Sequence, residues 1–211
     1  MLHIKQFKKY YHHRLILSVD DLDINPGIYW VKGANGSGKS TLLKSLAGLL
    51  HFEGQIVLNN TLSLKQQTKA YRGLVNFAEA EPVFPPYLTG QDMVALFTAA
   101  KKGNASQAGS YIDSMQMQDY IHDPIHTYSS GMLKKLSLVL AFTGNPQLIL
   151  LDEPLITMDE ASLQILYNWI QESHRQGVSF LLSSHQPPEG EIVRTSATLL
   201  VASQTLKLVH A

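Results

Sequence analysis

The stretch Gly33-Ala34-Asn35-Gly36-Ser37-Gly38-Lys39-Ser40-Thr41 constrains this chain more than any other part of it. It matches the phosphate-binding pattern G-x-x-x-x-G-K-S/T. An apolar run, Ile28-Tyr29-Trp30-Val31, precedes it and a helix-forming run from Leu42 to Leu50 follows, the strand-loop-helix setting that the pattern requires. A loop whose backbone N–H groups converge on a polyphosphate must turn tightly with no Cβ in the way, which Gly33, Gly36 and Gly38 permit. A helix starting at about Lys39 adds the partial positive charge of its N-terminus to the same spot. Lys39 supplies a full charge to the β and γ phosphates, and the Ser40 hydroxyl a ligand for Mg2+. The plainer alternative is a glycine-rich turn, and the flanking context separates the two.

The 211 residues are 45% hydrophobic, enough for one substantial core with at most a small appended subdomain. Formal net charge is zero, so no global field draws the chain to nucleic acid or an acidic membrane surface, and no nucleic-acid partner is expected. The absence of cysteine excludes disulfides and thiolate metal sites. No run of about eighteen apolar residues occurs, so the chain is not expected to cross a membrane by itself. Its basic start (Lys5, Lys8, Lys9, Arg14) lacks the apolar core of a signal peptide and reads as a strand and its turn. A cytoplasmic protein is expected.

Leu2, Ile4 and Phe7, then Leu15, Leu17, Val19, Leu22 and Ile24, alternate with polar residues as half-buried strands do, with Tyr10 and Tyr11 at the turn between them. An aromatic there either stacks on an adenine ring or is a surface hairpin tyrosine. Asn25-Pro26-Gly27 turns the chain into the strand that feeds the phosphate loop. Short strands follow at Gln55 to Leu58 and Leu74 to Phe77. Thr89, with Asp92 three residues on, caps a helix over Met93 to Ala100; a second helix is expected over about 104–120 and a third over Leu133 to Phe142. Three helices in succession suggest an insertion between roughly Pro85 and Gly144. Leu148-Ile149-Leu150-Leu151 then reads as a strand covered on both faces, ending in Asp152-Glu153-Pro154, where ligands of open α/β sheets gather. A helix from about Glu160 to Arg175, a buried strand over Val178 to Leu182 and a closing hairpin around Ser203-Gln204 complete the chain.

The order of landmarks carries a resemblance. A phosphate loop, helices ending in Tyr128-Ser129-Ser130-Gly131-Met132, the strand ending Asp152-Glu153-Pro154, then Asp159, then His185, resembles the ATP-binding subunit of the ABC transporters over essentially the whole chain. The resemblance implies a single domain over 1–211 with the P-loop NTPase fold: a mostly parallel α/β sheet core, N-terminal antiparallel strands and a helical subdomain at about 85–144. It implies ATP and Mg2+ as ligands, cradled by Gly33, Ala34, Asn35, Gly36, Ser37, Gly38, Lys39, Ser40 and Thr41. Asp152 would hold Mg2+ with Ser40, Glu153 would act as general base on the attacking water, and His185 would contact the γ-phosphate. Tyr11 falls where the family places its adenine-stacking aromatic.

Ser129 and Gly131 match the family's signature loop, usually Leu-Ser-Gly-Gly-Gln, although Tyr128, Ser130 and Met132 depart from it. In the family that loop completes the site of another subunit, and Asp159 matches the loop linking the two sites. A homodimer, or a heterodimer with a second ATP-binding subunit, is thereby implied. So is a separate transmembrane permease subunit, with this chain peripheral on the inner face of the cell membrane and export favoured over import. The family's metal-touching Gln falls on Ala80 here, which cannot ligate anything. Two rivals stand beside this reading: a soluble ABC-type ATPase acting on ribosomes or DNA, and a regulatory subunit that binds ATP without hydrolysing it. Lys101-Lys102 and Lys134-Lys135 read as solvated faces, His122 and His126 as no metal site because Pro124 lies between them. Phe84, Leu96 and Phe97 are core or a groove for a membrane subunit.

Overall fold

The computed structural model describes residues 1–184 and 193–209. The chain runs β1 (Leu2–Tyr11), β2 (Arg14–Ile24), β3 (Ile28–Lys32), α1 (Lys39–Leu46), β4 (Glu53–Leu58), β5 (Leu62–Ser63), α2 (Thr68–Leu74) and β6 (Val75–Ala78). It continues through α3 (Gly90–Ala100), α4 (Ala105–Ser114), a 3-10 turn at Ile125–Thr127, α5 (Ser130–Phe142), β7 (Leu148–Asp152), α6 (Glu160–Arg175), β8 (Ser179–Ser183), β9 (Ala197–Ala202) and β10 (Thr205–Val209). Among the described residues all ten strands form one sheet, in the order β5-β4-β1-β2-β10-β9-β3-β8-β7-β6. The strands β9, β3, β8, β7 and β6 run parallel, whereas β1, β2, β4 and β5 pair antiparallel. The β9–β10 hairpin joins the two halves, β10 lying antiparallel to β9 and parallel to β2.

Side chains alternate across a strand, and β7 uses both faces for burial. Leu148 and Leu150 enter one core with Val31, Leu42, Leu43 and Leu46, so α1 covers that side. Ile149 and Leu151 enter a second core with Leu136, Val139, Leu140, Phe142, Leu166 and Ile170, which α5 and α6 supply. The continuous apolar run in the sequence is thus a strand with helices on both sides. Buried Asn76 on β6 donates from Nδ2 to the carbonyls of Ala141 and Thr143 at 2.7 and 2.9 Å, tying β6 to the end of α5.

Several boundaries differ from expectation for visible reasons. Tyr10 and Tyr11 belong to β1, and the turn is His12-His13, with His12 at φ +53°. The second helix of the insertion ends at Ser114, because Gln116 takes a left-handed φ of +56° and the chain turns to bury Met117 and Ile121. The third starts at Ser130, since Ser129 caps it. Helix α2 and the two-residue β5 carry no clear periodicity and are not anticipated. Thr89 does form its capping box with Asp92, Thr89 Oγ1 accepting from the Asp92 amide at 3.0 Å and the Asp92 carboxylate from the Thr89 amide at 2.9 Å.

Candidate functional site

Gly36 and Gly38 take φ of +73° and +108°, values that a side chain resists. Gly33 is needed for space: a Cβ there would lie 2.5 Å from Ser37 Oγ and 2.6 Å from the Val201 carbonyl. The loop closes through a Ser37 N–H to Ala34 carbonyl bond of 3.1 Å and delivers the chain into α1 at Lys39. No side chain caps α1 and no acid occupies its first turn, so its leading N–H groups point out of the helix without a side-chain acceptor. Ser37 Oγ is buried with no hydrogen-bond partner. Lys39 is only 7% exposed; its ammonium donates to the Gly33 carbonyl at 3.0 Å and the Ala34 carbonyl at 3.4 Å, and lies 3.8 Å from Glu153 Oε1. A cavity of about 450 Å³ opens beside the loop, lined by Gly33, Ala34, Ser37, Ser184 and Val201. Uncapped amides, an orphaned hydroxyl and a buried ammonium suit a polyphosphate. Ser40, Ala34 and Asn35 are exposed and Thr41 half-buried.

The second half of the site is the tip of β7. Asp152 is buried, and its Oδ1 accepts a 2.6 Å bond from Ser183 Oγ at the paired position of β8. Ser183 Oγ also accepts from the Glu153 N–H at 2.9 Å. Glu153 itself sits at φ +44°, a left-handed conformation uncommon outside glycine, asparagine and aspartate and suited to aiming a side chain off a strand end. Ser40 and Asp152 offer oxygen ligands only, the choice of a hard cation such as Mg2+. Among the described residues no cluster of three or more His, Asp or Glu is placed to hold a metal alone, so phosphate oxygens would have to complete the coordination.

Behind that tip lies a residue whose role was not expected. Lys134 on α5 is 1% exposed, and its Nζ donates to the carbonyls of Glu79 (3.2 Å), Ala80 (3.1 Å) and Asp152 (3.2 Å). Burial pushes its ammonium down to about 8, against the opposing pull of Asp152, Glu153 and Glu79. The solvated-face expectation is therefore wrong for Lys134. It also fails for Lys101, whose ammonium donates to the carbonyls of Arg72 and Val75, and for Lys135, which donates to the Met115 carbonyl at 3.2 Å. Glu79 pairs with Lys44 of α1, and Ala80 offers only a methyl group at the position expected for a metal-touching side chain.

Ser129 and Gly131 form a third group, at the start of α5. Ser129 caps α5, its Oγ accepting from the Met132 amide at 3.2 Å, and a Cβ on Gly131 would meet the Thr157 carbonyl at 3.4 Å. Tyr128, in place of the usual leucine, is a buried anchor that donates from its hydroxyl to the Tyr120 carbonyl at 2.8 Å. Asp159 caps α6: its carboxylate accepts from the Ser162 amide at 2.8 Å and the Ser162 hydroxyl at 2.9 Å, with Lys135 Nζ 3.6 Å away. Those bonds, the Ser162 amide first, hold the Asp159 carboxyl below the usual carboxylate range. Tyr11 ends β1 with 45% of its surface exposed and Lys9 Nζ 4.9 Å from its ring centre. His185 falls outside the described residues.

Residues 17–156 match the ABC transporter family profile. The chain belongs to the ABC transporter family. As an ATP-binding subunit of that family it shares 30% identity over 189 residues with an uncharacterized ABC transporter ATP-binding protein, YdbJ, of Bacillus subtilis, across 88% of this chain and 61% of that one. It shares 33% over 160 residues with the cytochrome c biogenesis ATP-binding export protein CcmA of Legionella pneumophila, across 76% and 80% of the two chains. The ABC fold is shared with solved structures: an ATP binding subunit of an ABC transporter (TM-score 0.88, 22% identity, 98% of this chain and 88% of that one) is one. A dimeric ATP-binding cassette in a post-hydrolysis state, bound to ADP and Pi, is another (TM-score 0.84, 19% identity, 100% and 98%). ATP binding and hydrolysis, typically with Mg2+, belong to the ABC ATPase family in general.

Two residues of this site escape a motif reading. Ser183 is hidden in the run Ser183-Ser184-His185, and only the pairing of β7 with β8 shows that it faces Asp152. Lys134 does leave a trace: helical spacing puts it on the face of Leu138 and Ala141, both buried.

Proposed function

We propose that this chain binds and hydrolyses ATP at the phosphate loop and couples hydrolysis to transport, with export favoured, by a separate transmembrane subunit. The observation that carries the chemistry is the meeting of Lys39 with Glu153 at 3.8 Å, which brings the phosphate loop and the acidic tip of β7 onto one spot. The loop amides, Ser37 and Lys39 bind the β and γ phosphates. Ser40 and Asp152 would hold Mg2+, which when bound neutralises phosphate charge. Glu153 accepts a proton from a water whose oxygen attacks the γ-phosphorus; the bond to the bridging oxygen breaks, leaving ADP and phosphate. Tyr11, exposed at the hairpin, stacks on the adenine, and His185 contacts the γ-phosphate.

Ser129 and Gly131 sit at the N-terminal end of α5 and Asp159 at that of α6, neither of which is the segment carrying the phosphate loop or the tip of β7. This supports a dimer, of two copies or of this chain with a second ATP-binding subunit, in which they face the partner's nucleotide. The helices between about residues 85 and 144 then act as a subdomain on one domain spanning 1–211. Among the described residues no helix is long and apolar enough to cross a membrane. Placement on the inner face of the cell membrane would come through the transmembrane subunit, for which exposed Val83, Tyr87 and Leu96 at the start of this subdomain offer an apolar surface. Phe84 and Phe97 pack against the second core instead.

Detergent extraction and affinity purification test the assignment. A polytopic membrane protein is expected to copurify, and to be lost with Val83→Asp and Tyr87→Asp together. Recovery of ribosomes or DNA in its place, with no membrane protein, would move the chain to the soluble ATPases. Ala80 favours a second reading, an ATP-binding subunit with weak hydrolysis; phosphate release by the wild-type chain decides between them.

A further inference from the structure

The peptide that joins Asp152 to Glu153 is held at both of its polar atoms. Its carbonyl accepts from Lys134 Nζ at 3.2 Å, and its N–H donates to Ser183 Oγ at 2.9 Å. That peptide leads into the left-handed Glu153, so its orientation sets where the Glu153 carboxylate points. The same ammonium takes the Glu79 and Ala80 carbonyls, which belong to the loop leaving β6. Lys134 also lies on α5, whose first turn begins at Ser130 behind the Ser129 cap. One buried cation thus joins three segments: the start of α5, the loop after β6 and the tip of β7. A lysine stem suits this task, because an ammonium has three protons and each finds a different carbonyl.

We propose that Lys134 is a positioning residue for hydrolysis, fixing the Asp152–Glu153 peptide and locking it to the Ser129–Ser130–Gly131 end of α5 and to the 79–80 loop. It touches no phosphate and acts through Glu153. The inference rests on the ATPase reading above and adds to it a rigid path inside one subunit. A shift of the α5 start, such as contact with a partner's nucleotide would impose, is passed to the general base without any side chain at position 80. Ala80 takes part through its carbonyl alone.

The full chain has no cysteine, so Lys134→Cys introduces a unique thiol. Alkylation in denaturant with 2-bromoethylamine, the thiolate displacing bromide, rebuilds an ammonium at nearly lysine length; 1-bromopropane builds a neutral side chain of the same length. After refolding, the aminoethyl form is expected to match the wild type. The propyl form is expected to lose about ten- to a hundredfold in kcat, with ATP affinity in EDTA within about threefold of wild type. Amide exchange at residues 79–81 and 153 is expected to rise about tenfold in the propyl form alone. Equal kcat and equal exchange in the two alkylated forms would overturn the proposal. Should the propyl form not refold, Lys134→Gln expressed natively decides: a fall in kcat at unchanged KM supports the role, and an unchanged kcat refutes it. A wild-type chain that neither binds ATP nor releases phosphate would sink the ATPase reading, and the exchange comparison would still decide whether Lys134 holds the peptide.

Discussion

Two lysines flank the tip of β7; both are buried and both donate to backbone carbonyls, yet their surroundings differ. On the α1 side, Lys39 donates to two loop carbonyls and lies 3.8 Å from the Glu153 carboxylate, facing the place a phosphate would occupy. On the α5 side, Lys134 donates to three carbonyls in a site closed to solvent. The first ammonium can exchange its acceptors for a ligand. The second has nothing to exchange with, so it can only hold the backbone. Both ammoniums feel the Glu153 carboxylate, and on the reading proposed above burial of a charge serves binding on the side that opens to the cavity and placement on the side that is closed.

The contrast can be broken by mutation. The largest effect is expected between the two sides: Glu153→Gln should lower phosphate release by about a hundred- to ten-thousandfold while ATP still binds, and unchanged release would remove Glu153 from the chemistry. Next comes Lys39→Met, for which calorimetry in EDTA should show ATP affinity reduced by about 1.5–3 kcal/mol, roughly ten- to a hundredfold. Affinity within twofold of wild type would erase the difference between the two sides. Ser183→Ala unpairs Asp152 Oδ1 and the Glu153 N–H, so urea unfolding should report a loss of about 1–3 kcal/mol; no loss would mean that the peptide is held from the α5 side alone.

The smallest effect lies at Asp159, where removal of the α6 cap by Asp159→Ala should cost about 1 kcal/mol or less, the carboxylate being largely exposed. Its carboxyl titrates lower in the folded chain than in the unfolded one, so the cap contributes fully above the ordinary carboxylate range. The contribution disappears as pH falls through the lowered folded value. Melting curves of the wild type and Asp159→Ala should converge in acid, and a gap that persists there would refute the cap.

What the sequence discloses follows the same divide. Gly33 through Thr41 are legible because their constraint is local: backbone φ and missing Cβ atoms within nine consecutive residues. The β7 run and the Thr89 cap are legible for the same reason. For Lys134 only its burial is hinted at by helical spacing; its partners are not legible, because the acceptors lie 18, 54 and 55 residues away and only the packing of α5 on the sheet brings them together. Ser183 needs the β7–β8 register, 31 residues apart, before its hydroxyl means anything. The early end of α4 at Ser114 is likewise decided by the burial of Met117 and Ile121, which no helical period announces.

The strand β7 has no side chain to spare for solvent: every position from Leu148 to Asp152 is buried. It works as a keel, with ballast on both sides, and the two acids ride on its end. A methylene removed from Leu150 on one flank or from Leu151 on the other would loosen the same pair of carboxylates. The proposed hydrolysis is then exposed to faults on either side of the sheet, and substitutions far from any phosphate would register first as slow turnover rather than as weak grip.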